Sequence, residues 1–288
     1  MARVKVRSTH RFPGPAWEEL DGVEIAPADT PGPDVDVLVV LNEPVDLELY
    51  PSLRLIANYS VGYDRIDVAA ARARGVAVTN TPGVLDAATA DLALALMLAA
   101  RRGVVTGDRI VRAGGWAGLR DGREVSGATL GIVGAGRIGS AVARRAAGFD
   151  MRVLRVRRSE GDLEAVLREA DIVTLHVPLN DETRGLLSRE RLALLRDGAT
   201  LVNTARGGVV DEDALVTELV SGRISAGLDV FAHEPHVPPE LFDLPNVVLT
   251  PHIGSDTVET RAAMTRCVVD NVLALVRGEP LPNPVASQ

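Results

Sequence analysis

Three polar side chains, Arg206, Glu234 and His252, each follow a short apolar run of the sequence. Hydride transfer to a ketone needs a proton donor for the developing alkoxide and a cation for a substrate carboxylate. His252 is the natural acid because histidine titrates near physiological pH, and Glu234 would favour its imidazolium form. Arg206 would bind the carboxylate and polarise the carbonyl. These residue types predict a catalytic set for the reduction of a keto acid.

Other interpretations of these residues stay open. An arginine after a strand is often part of a surface ion pair, and a histidine there is often structural. The other histidines that compete for the acid role are His10, His176, His233 and His236. A metal site at His233, Glu234 and His236 is disfavoured, because their spacing matches no helical ligand pattern and two prolines interrupt it. We therefore expect no metal.

A glycine-rich turn, GAGRIG at residues 134–139, follows an apolar run and opens a helical pattern. In such turns the first glycine permits the bend, the second lets a pyrophosphate approach, and the third lets the helix pack on the strand. The helix N-terminus offers N–H groups and a partial positive charge to the phosphates. A turn without a ligand is the alternative, but the strand–turn–helix context favours a dinucleotide site. The residues assigned to it are Gly134, Gly136, Arg137, Ile138 and Gly139.

The next strand indicates which dinucleotide binds. An acidic residue about 20 positions after the motif would hold the ribose 2′-hydroxyl of NAD. Here the strand runs into Arg157, Arg158 and Ser159, with no acidic residue at its end. Guanidinium groups bind phosphate in a bidentate manner. We therefore expect NADPH to be preferred over NADH, while a pair of surface arginines in a protein that accepts either cofactor is the alternative.

Short apolar strands alternate with helical patterns along most of the chain, which predicts parallel sheets covered on both faces. We expect an α/β protein with two doubly wound parallel-sheet domains, Rossmann-like and flavodoxin-like, and an interdomain cleft. The predicted substrate-binding (catalytic) domain comprises residues 1–95 and 262–288, and the predicted NAD(P)-binding domain comprises residues 96–261. Residues 103–126 have no sustained apolar face, so they form either a loose linker or an arm that packs on a partner subunit.

In the first domain, the segment YSVGYD follows a strand. Successive backbone N–H groups in such a turn can form a nest for an anion. Ser60, Val61 and Gly62 are therefore candidate ligands for a substrate carboxylate, and an ordinary turn is the alternative.

Composition excludes several classes of protein. The 288 residues carry 31 basic and 39 acidic side chains, a net charge of −8, which argues against a nucleic-acid-binding protein. A single cysteine excludes intrachain disulfides and thiolate metal clusters. The N-terminal segment is charged, so we expect no signal peptide, and the longest apolar run is too short for a membrane span. We expect a cytoplasmic protein.

Several motifs together resemble the D-isomer-specific 2-hydroxyacid dehydrogenases, in the order that this family shows. The segments that carry the resemblance are NYSVGYDRID, TNTPGVLDAATADLALALMLAARR, TLGIVGAGRIGSAVA, LHVPLNDETRGLL, LVNTARGGVVDEDAL, GLDVFAHEP and TPHIGS. The sequence is most similar to the glyoxylate/hydroxypyruvate reductase branch. Residues 1–50 match too poorly for transfer, and the run after Glu234 differs from that of the family, which leaves the substrate undecided.

The resemblance implies a homodimer with a dimerisation arm near residues 103–126 that contains Trp116. It implies that Arg206 binds substrate, that Glu234 pairs with His252, and that His252 is the proton donor. It also implies a cofactor set. The further members of that set are Thr89, His176, Pro178, Thr183, Thr204, Ala205, Arg206, Asp229, His252 and Gly254.

The resulting hypothesis is an NADPH-preferring reductase of small 2-keto acids to D-2-hydroxy acids. NAD remains an alternative cofactor. Alternative functions are a dehydrogenase of another small acid, such as phosphite or a 3-phosphoglycerate-type acid, and a non-catalytic corepressor or scaffold that senses dinucleotides.

Overall fold

The computed structural model describes residues 4–118, 122–157 and 161–285. The chain divides into two compact units, one made of Met1–Leu85 and Ser255–Gln288 and the other of Asp86–Gly254. Each unit is built on a parallel β-sheet, as the sequence predicts. Among the described residues, no helix is long and apolar enough to cross a membrane.

The first unit has a five-stranded sheet in the order β2-β1-β3-β4-β5. Its strands are β1 (Val6–Ser8), β2 (Glu24–Ile25), β3 (Val37–Val40), β4 (Leu55–Asn58) and β5 (Ala77–Thr79). Its helices are α1 (Val68–Ala73) and the C-terminal α8 (Val258–Arg277). Every residue of β3 and β4 is buried, which explains why these strands read as continuous apolar runs.

The second unit has a six-stranded sheet in the order β11-β10-β9-β8-β6-β7. Its strands are β6 (Thr129–Val133), β7 (Arg152–Val156), β8 (Ile172–Leu175), β9 (Thr200–Asn203), β10 (Ser225–Leu228) and β11 (Val247–Leu249). Its helices are α2 (Asp86–Arg102), α3 (Val104–Arg112), α4 (Arg137–Ala146), α5 (Leu163–Glu169), α6 (Arg189–Leu192) and α7 (Glu212–Val220). The direction of winding reverses between β6 and β8, and ligands of such sheets bind at the carboxyl ends of the strands beside that point.

The unit boundaries lie earlier in the chain than the predicted positions 95/96 and 261/262. The first predicted boundary falls inside α2, which packs as a whole on the second sheet. A Cβ atom added to Gly227 in β10 would lie 2.7 Å from the Cβ of Leu96, so the glycine is what lets the helix come this close. At the second boundary, the Tyr59 hydroxyl donates a 2.7 Å hydrogen bond to the Arg261 carbonyl, which ties the start of α8 to the first unit.

Residues 103–126 contain a helix that the sequence analysis did not predict. Gly103 adopts a left-handed conformation with φ 60°, which separates α2 from α3. No residue of α3 is buried. Val105 is partly buried against the core beneath α2, and the other residues of this short helix give no sustained apolar pattern.

Candidate active site

The GAGRIG turn connects β6 to α4 and requires glycine at two positions for steric reasons. Gly134 has φ 94°, and a Cβ atom there would lie 2.5 Å from the His176 carbonyl oxygen. A Cβ atom on Gly139 would lie 2.3 Å from the Gly134 carbonyl oxygen. By contrast, a Cβ atom on Gly136 would meet no atom within 4 Å. The turn therefore has open space at the position where the motif predicts a pyrophosphate.

Helix α4 starts directly after this open space and is not capped by a side chain. Gly136 occupies its N-cap position, so the first N–H groups of the helix are available to an anion. Arg137 is the first helical residue and its side chain is exposed, whereas Ile138 is half-buried. This arrangement fits a dinucleotide phosphate.

His176 follows β8, on the other side of the point where the winding reverses. Burial lowers the pKa of its imidazole to about 4, so the ring is neutral at physiological pH. Its Nε2 lies 3.0 Å from the Thr174 hydroxyl oxygen. In the loop that follows, the Thr183 hydroxyl donates a 2.5 Å hydrogen bond to the Pro178 carbonyl, which fixes the two predicted cofactor contacts relative to each other.

Arg157 directly follows β7 and is exposed at the end of that strand. In doubly wound dinucleotide-binding sheets, a residue near this strand end contacts the adenosine ribose. The predicted partners Arg158 and Ser159 lie outside the described residues.

Further predicted cofactor residues include two buried threonines, Thr204 and Thr89. Thr204, directly after β9, is 9 % exposed, and its Oγ1 has no hydrogen-bond partner among the described residues. An unsatisfied buried hydroxyl is costly, and a bound ligand would satisfy it. Its neighbour Ala205 is half-buried. Thr89 of α2 is buried against Gly254, where an added Cβ would lie 3.6 Å from the Thr89 Cγ2.

His252 and Glu234 form the hydrogen-bonded pair that their residue types suggest. The His252 Nδ1 lies 2.8 Å from the Glu234 Oε2, and the other carboxylate oxygen accepts a 3.0 Å bond from the Phe231 N–H. Burial acts to raise the pKa of Glu234. The hydrogen bonds from His252 and Phe231 and the charges of His252 and Arg206 outweigh it, so that this pKa lies below its ordinary value. The ionised carboxylate fixes the Nδ1–H tautomer and leaves Nε2 for a substrate.

Asp229 holds the loop that carries His252. Its carboxylate is fully buried and accepts hydrogen bonds from the Thr250 hydroxyl, the Ile253 N–H and the Gly254 N–H at 2.6, 2.8 and 2.9 Å. Burial raises the pKa of Asp229 despite these bonds. The sequence analysis missed Thr250 and this anchoring role. The contact of Asp229 with the nicotinamide amide stays a prediction.

Gly207 brings the segment after β9 against the segment after β10. A Cβ atom at Gly207 would lie 1.9 Å from the Phe231 carbonyl carbon, so only glycine fits. The preceding residue, Arg206, is thereby placed close enough to lower the pKa of Glu234. The buried Asn203 shapes this turn, because its side chain accepts from the Ala205 N–H and donates to the Arg206 carbonyl. The sequence analysis missed Gly207, for which the glycine pair after Arg206 was the available signal.

The predicted carboxylate turn lies in the first unit, directly after β4. The Asn58 side-chain amide donates to the carbonyls of Ser60 and Gly62, and the Asn80 amide donates to the carbonyl of Val61. Within the described part of the chain, none of the three N–H groups of residues 60–62 donates to a protein acceptor. The turn therefore has the unused donors that an anion-binding nest requires.

Two of the rival histidines belong to a surface turn. His233 and His236 are both exposed, and the His236 N–H donates to the His233 carbonyl. His10 lies in the first unit, with its Nδ1 3.4 Å from a Glu43 oxygen. In the described ranges no group of three or more His, Cys, Asp or Glu side chains could hold a metal ion.

The doubly wound sheet, the glycine turn at its reversal point and the His–Glu pair that follows β10 and β11 define an oxidoreductase that uses a nicotinamide dinucleotide. Comparison with known proteins identifies the family. The model of the D-isomer specific 2-hydroxyacid dehydrogenase NAD binding domain matches residues 94–254. The chain belongs to the D-isomer specific 2-hydroxyacid dehydrogenase family.

Individual relatives agree with this assignment. The glyoxylate reductase of Pyrococcus furiosus is 52% identical over 277 residues, which cover 88% of this chain and 82% of that protein. A glyoxylate reductase from Paecilomyes thermophila has a similar structure, with a TM-score of 0.91, 34% identity and 99% coverage of both chains. The NADPH-dependent glyoxylate/hydroxypyruvate reductase of Sinorhizobium meliloti, solved with NADP and malonate, has a TM-score of 0.91, 35% identity and coverage of 99% and 97%.

Proposed function

We propose that this chain reduces small 2-keto acids, glyoxylate and hydroxypyruvate in particular, to D-2-hydroxy acids and prefers NADPH. The observation that carries the proposal is the His252–Glu234 hydrogen bond of 2.8 Å, with the charge of Arg206 acting on the same carboxylate. An acid, the base that orients it and a cation are the groups that keto-acid reduction needs. The names of the Pyrococcus and Sinorhizobium relatives support glyoxylate as the substrate.

The proposed roles follow from the geometry. Glu234 stays ionised and accepts a hydrogen bond from the Nδ1–H of His252, which leaves the Nε2–H of the imidazolium to donate its proton to the substrate oxygen as that oxygen gains charge. Arg206 binds the substrate carboxylate. The turn at residues 60–62 is the second proposed ligand of that carboxylate, through its unused N–H groups. When bound, the nicotinamide supplies the hydride for the carbonyl carbon.

A separate set of residues would hold the cofactor. The residues assigned to the phosphates are Gly136, Arg137 and the N-terminus of α4, and Thr204, with its unsatisfied hydroxyl, is assigned to the part of the cofactor that lies beyond β9. Arg157 is the proposed ligand of the 2′-phosphate, and this assignment is the basis of the preference for NADPH.

Steady-state assays test the proposal directly. The oxidation of NADPH and of NADH is measured with glyoxylate, hydroxypyruvate, pyruvate and phenylpyruvate. The expected result is the highest kcat/KM with NADPH and a two- or three-carbon keto acid. Turnover only with phosphite or a 3-phosphoglycerate-type acid would show that this acid, and not a 2-keto acid, is the substrate. Tight NADPH binding without turnover on any acid would favour a dinucleotide sensor.

The cofactor preference has its own test. Arg157→Asp should lower the ratio of kcat/KM for NADPH to kcat/KM for NADH by about tenfold or more, because a charge-assisted phosphate contact is lost and a repulsion is added. Arg155→Asp is the matched control, since Arg155 is an exposed arginine within the same strand. An unchanged ratio in Arg157→Asp would show that Arg157 does not bind the phosphate.

A further inference from the structure

Arg137 stands at an electrostatically unfavourable position. It is the first residue of α4, and the N-terminus of a helix carries a partial positive charge. The Arg137 Nε lies 3.4 Å from the Oδ2 of Asp86, the first residue of α2. The Asp86 carboxylate thus compensates the guanidinium at the end of the helix that faces the predicted pyrophosphate.

The carboxylate is more buried than the arginine. The Asp86 side chain is 19% exposed, against 60% for Arg137. The Asp86 Oδ1 is buried and has no hydrogen-bond partner within the described ranges. If Arg137 moved away, this largely buried carboxylate would lose the one ion pair recorded for it there, which is unfavourable. The pair should therefore persist when an anion binds in front of α4.

The contact through Nε has a consequence for anion binding. A guanidinium that is held by a carboxylate at Nε still presents its two terminal nitrogens as a fork, and such forks bind phosphate oxygens well. We propose that Asp86 is a positioning residue of the dinucleotide site. Its carboxylate holds Arg137 so that both Nη groups of the arginine bind the cofactor pyrophosphate. The proposal deepens the cofactor assignment of Arg137 and does not depend on which keto acid is reduced.

A second ion pair between the same two helices provides a matched control. The Arg145 Nε lies 2.5 Å from the Asp91 Oδ1, so that α2 and α4 are joined twice by the same types of residue. Arg145 is eight residues after Arg137, or about 12 Å along the helix at 1.5 Å per residue. Removal of this pair affects the packing of the helices but not the pyrophosphate.

The test is a fluorescence titration of NADPH in the absence of keto acid. Asp86→Ala should raise the Kd of NADPH about two- to fivefold, the range for a partly exposed ion pair. Asp86→Asn should retain the wild-type Kd or bind more tightly, because its amide oxygen can take the place of the carboxylate oxygen next to the Arg137 Nε without the negative charge. Asp91→Ala should leave the Kd unchanged. In an Arg137→Ala background, Asp86→Ala should have no further effect.

Several results would overturn the proposal. An unchanged Kd in Asp86→Ala would mean that the carboxylate does not position Arg137, and a lower Kd would mean that it only repels the cofactor. An effect that persists without Arg137, or an equal effect in Asp91→Ala, would assign it to helix packing. Thermal unfolding of each variant shows whether it is folded, and Asp86→Asn keeps the test informative if Asp86→Ala does not fold. If the protein failed to reduce glyoxylate but showed the expected Kd values, the proposed substrate would be wrong and the role of Asp86 would stand.

Discussion

His252 has an unusual backbone conformation that its neighbours impose. Its φ is 55°, in the left-handed region that residues other than glycine seldom adopt. The His252 N–H donates to the Asp229 carbonyl, and the next two N–H groups donate to the Asp229 carboxylate. This network offsets the cost of the conformation and directs the imidazole toward Glu234.

The first prediction concerns the proton donor. His252→Ala should lower kcat for the keto acid by about 10²–10⁴, because proton transfer to the alkoxide is lost, and should leave the Kd of NADPH within about twofold. His233→Ala is the control, since His233 is the exposed rival beside Glu234. Rapid-mixing and steady-state kinetics measure kcat for both variants, and NADPH titration measures the Kd. A normal kcat in His252→Ala would assign the acid role to another group.

Arg206 should act far more on the substrate than on the cofactor. Arg206→Ala should lower kcat/KM for glyoxylate about 10²-fold or more, because it removes a charge-assisted contact with the carboxylate. Arg206→Lys should restore only part of it, since an ammonium cannot form the bidentate pair. The Kd of NADPH, measured by titration, is the control. An equal loss of cofactor affinity would indicate a structural role for Arg206.

His176 should make stability depend on pH. Its pKa is about 4 in the folded protein and 6.5 when unperturbed, so between these values the unfolded chain takes up a proton that the folded protein does not. The free energy of unfolding should therefore fall as the pH falls from 6.5 toward 4. Below that range His176 is protonated in both states and should cause no further change. The expected contribution of His176 to this fall in the free energy of unfolding is about 1–3 kcal/mol. It is less than the full value for such a shift because His176 is not completely buried.

Urea unfolding of the wild type and of His176→Gln, at several pH values across this interval, measures that contribution. The difference between the two unfolding free energies should change with pH in the stated direction. His10→Gln serves as the control, because His10 is an exposed histidine. Parallel curves for the wild type and His176→Gln would contradict the prediction.

In the glycine turn before α4, one glycine is required for the fold and another for the ligand. Gly139 has no room for a side chain, whereas Gly136 has open space and an ordinary φ of −75°. The two positions carry the same residue for different reasons. One glycine permits the packing of a helix on a strand, and the other keeps space for a pyrophosphate.

Alanine substitutions should separate these roles. Gly139→Ala should destabilise the protein by about 1–3 kcal/mol through a clash with the Gly134 carbonyl. Gly136→Ala should leave the free energy of unfolding equal or slightly higher, and should raise the Kd of NADPH about tenfold, because a methyl group occupies ligand space. Urea unfolding and NADPH titration measure the two effects. A destabilised Gly136→Ala with normal cofactor affinity would contradict this division.

The segment after α2 exposes several apolar side chains. No residue of α3 is buried, and the exposed apolar side chains include Val104, Val111 and Trp116, the last of which is 94% exposed. Exposed apolar side chains grouped in one segment often mark an interaction surface. The homodimer and its arm at residues 103–126 stay a prediction.

Sedimentation equilibrium tests that prediction. The wild type should be a dimer, and Val111→Asp with Trp116→Asp should shift it toward the monomer, because a buried unpaired charge opposes association. Phe242→Asp is the control, since Phe242 is an exposed aromatic residue outside the segment. A monomeric wild type, or a dimer that tolerates both aspartates, would exclude this segment as the interface.

Much of this protein follows from local sequence patterns. The alternation of apolar strands and helices predicted two parallel sheets, because burial on both faces leaves a continuous apolar run in each strand. GAGRIG predicted the dinucleotide turn, and the residue types at 206, 234 and 252 predicted a pair that the structure brings into contact. These features depend on short stretches of chain, in which residue types and their spacing alone indicate the structure.

Other features depended on contacts between segments that are far apart in the chain. Local residues mark the ends of α2 and α8, such as Gly103 after α2 and Gly278 after α8. The unit on which each helix packs depends on distant contacts, so the predicted unit boundaries differ from those of the structure. Gly207 against Phe231, the buried anchor at Asp229 and the pairing of Asp86 with Arg137 join separate elements. No local pattern encodes such contacts, because they arise only when the strand order and the close packing of the interior bring those elements together.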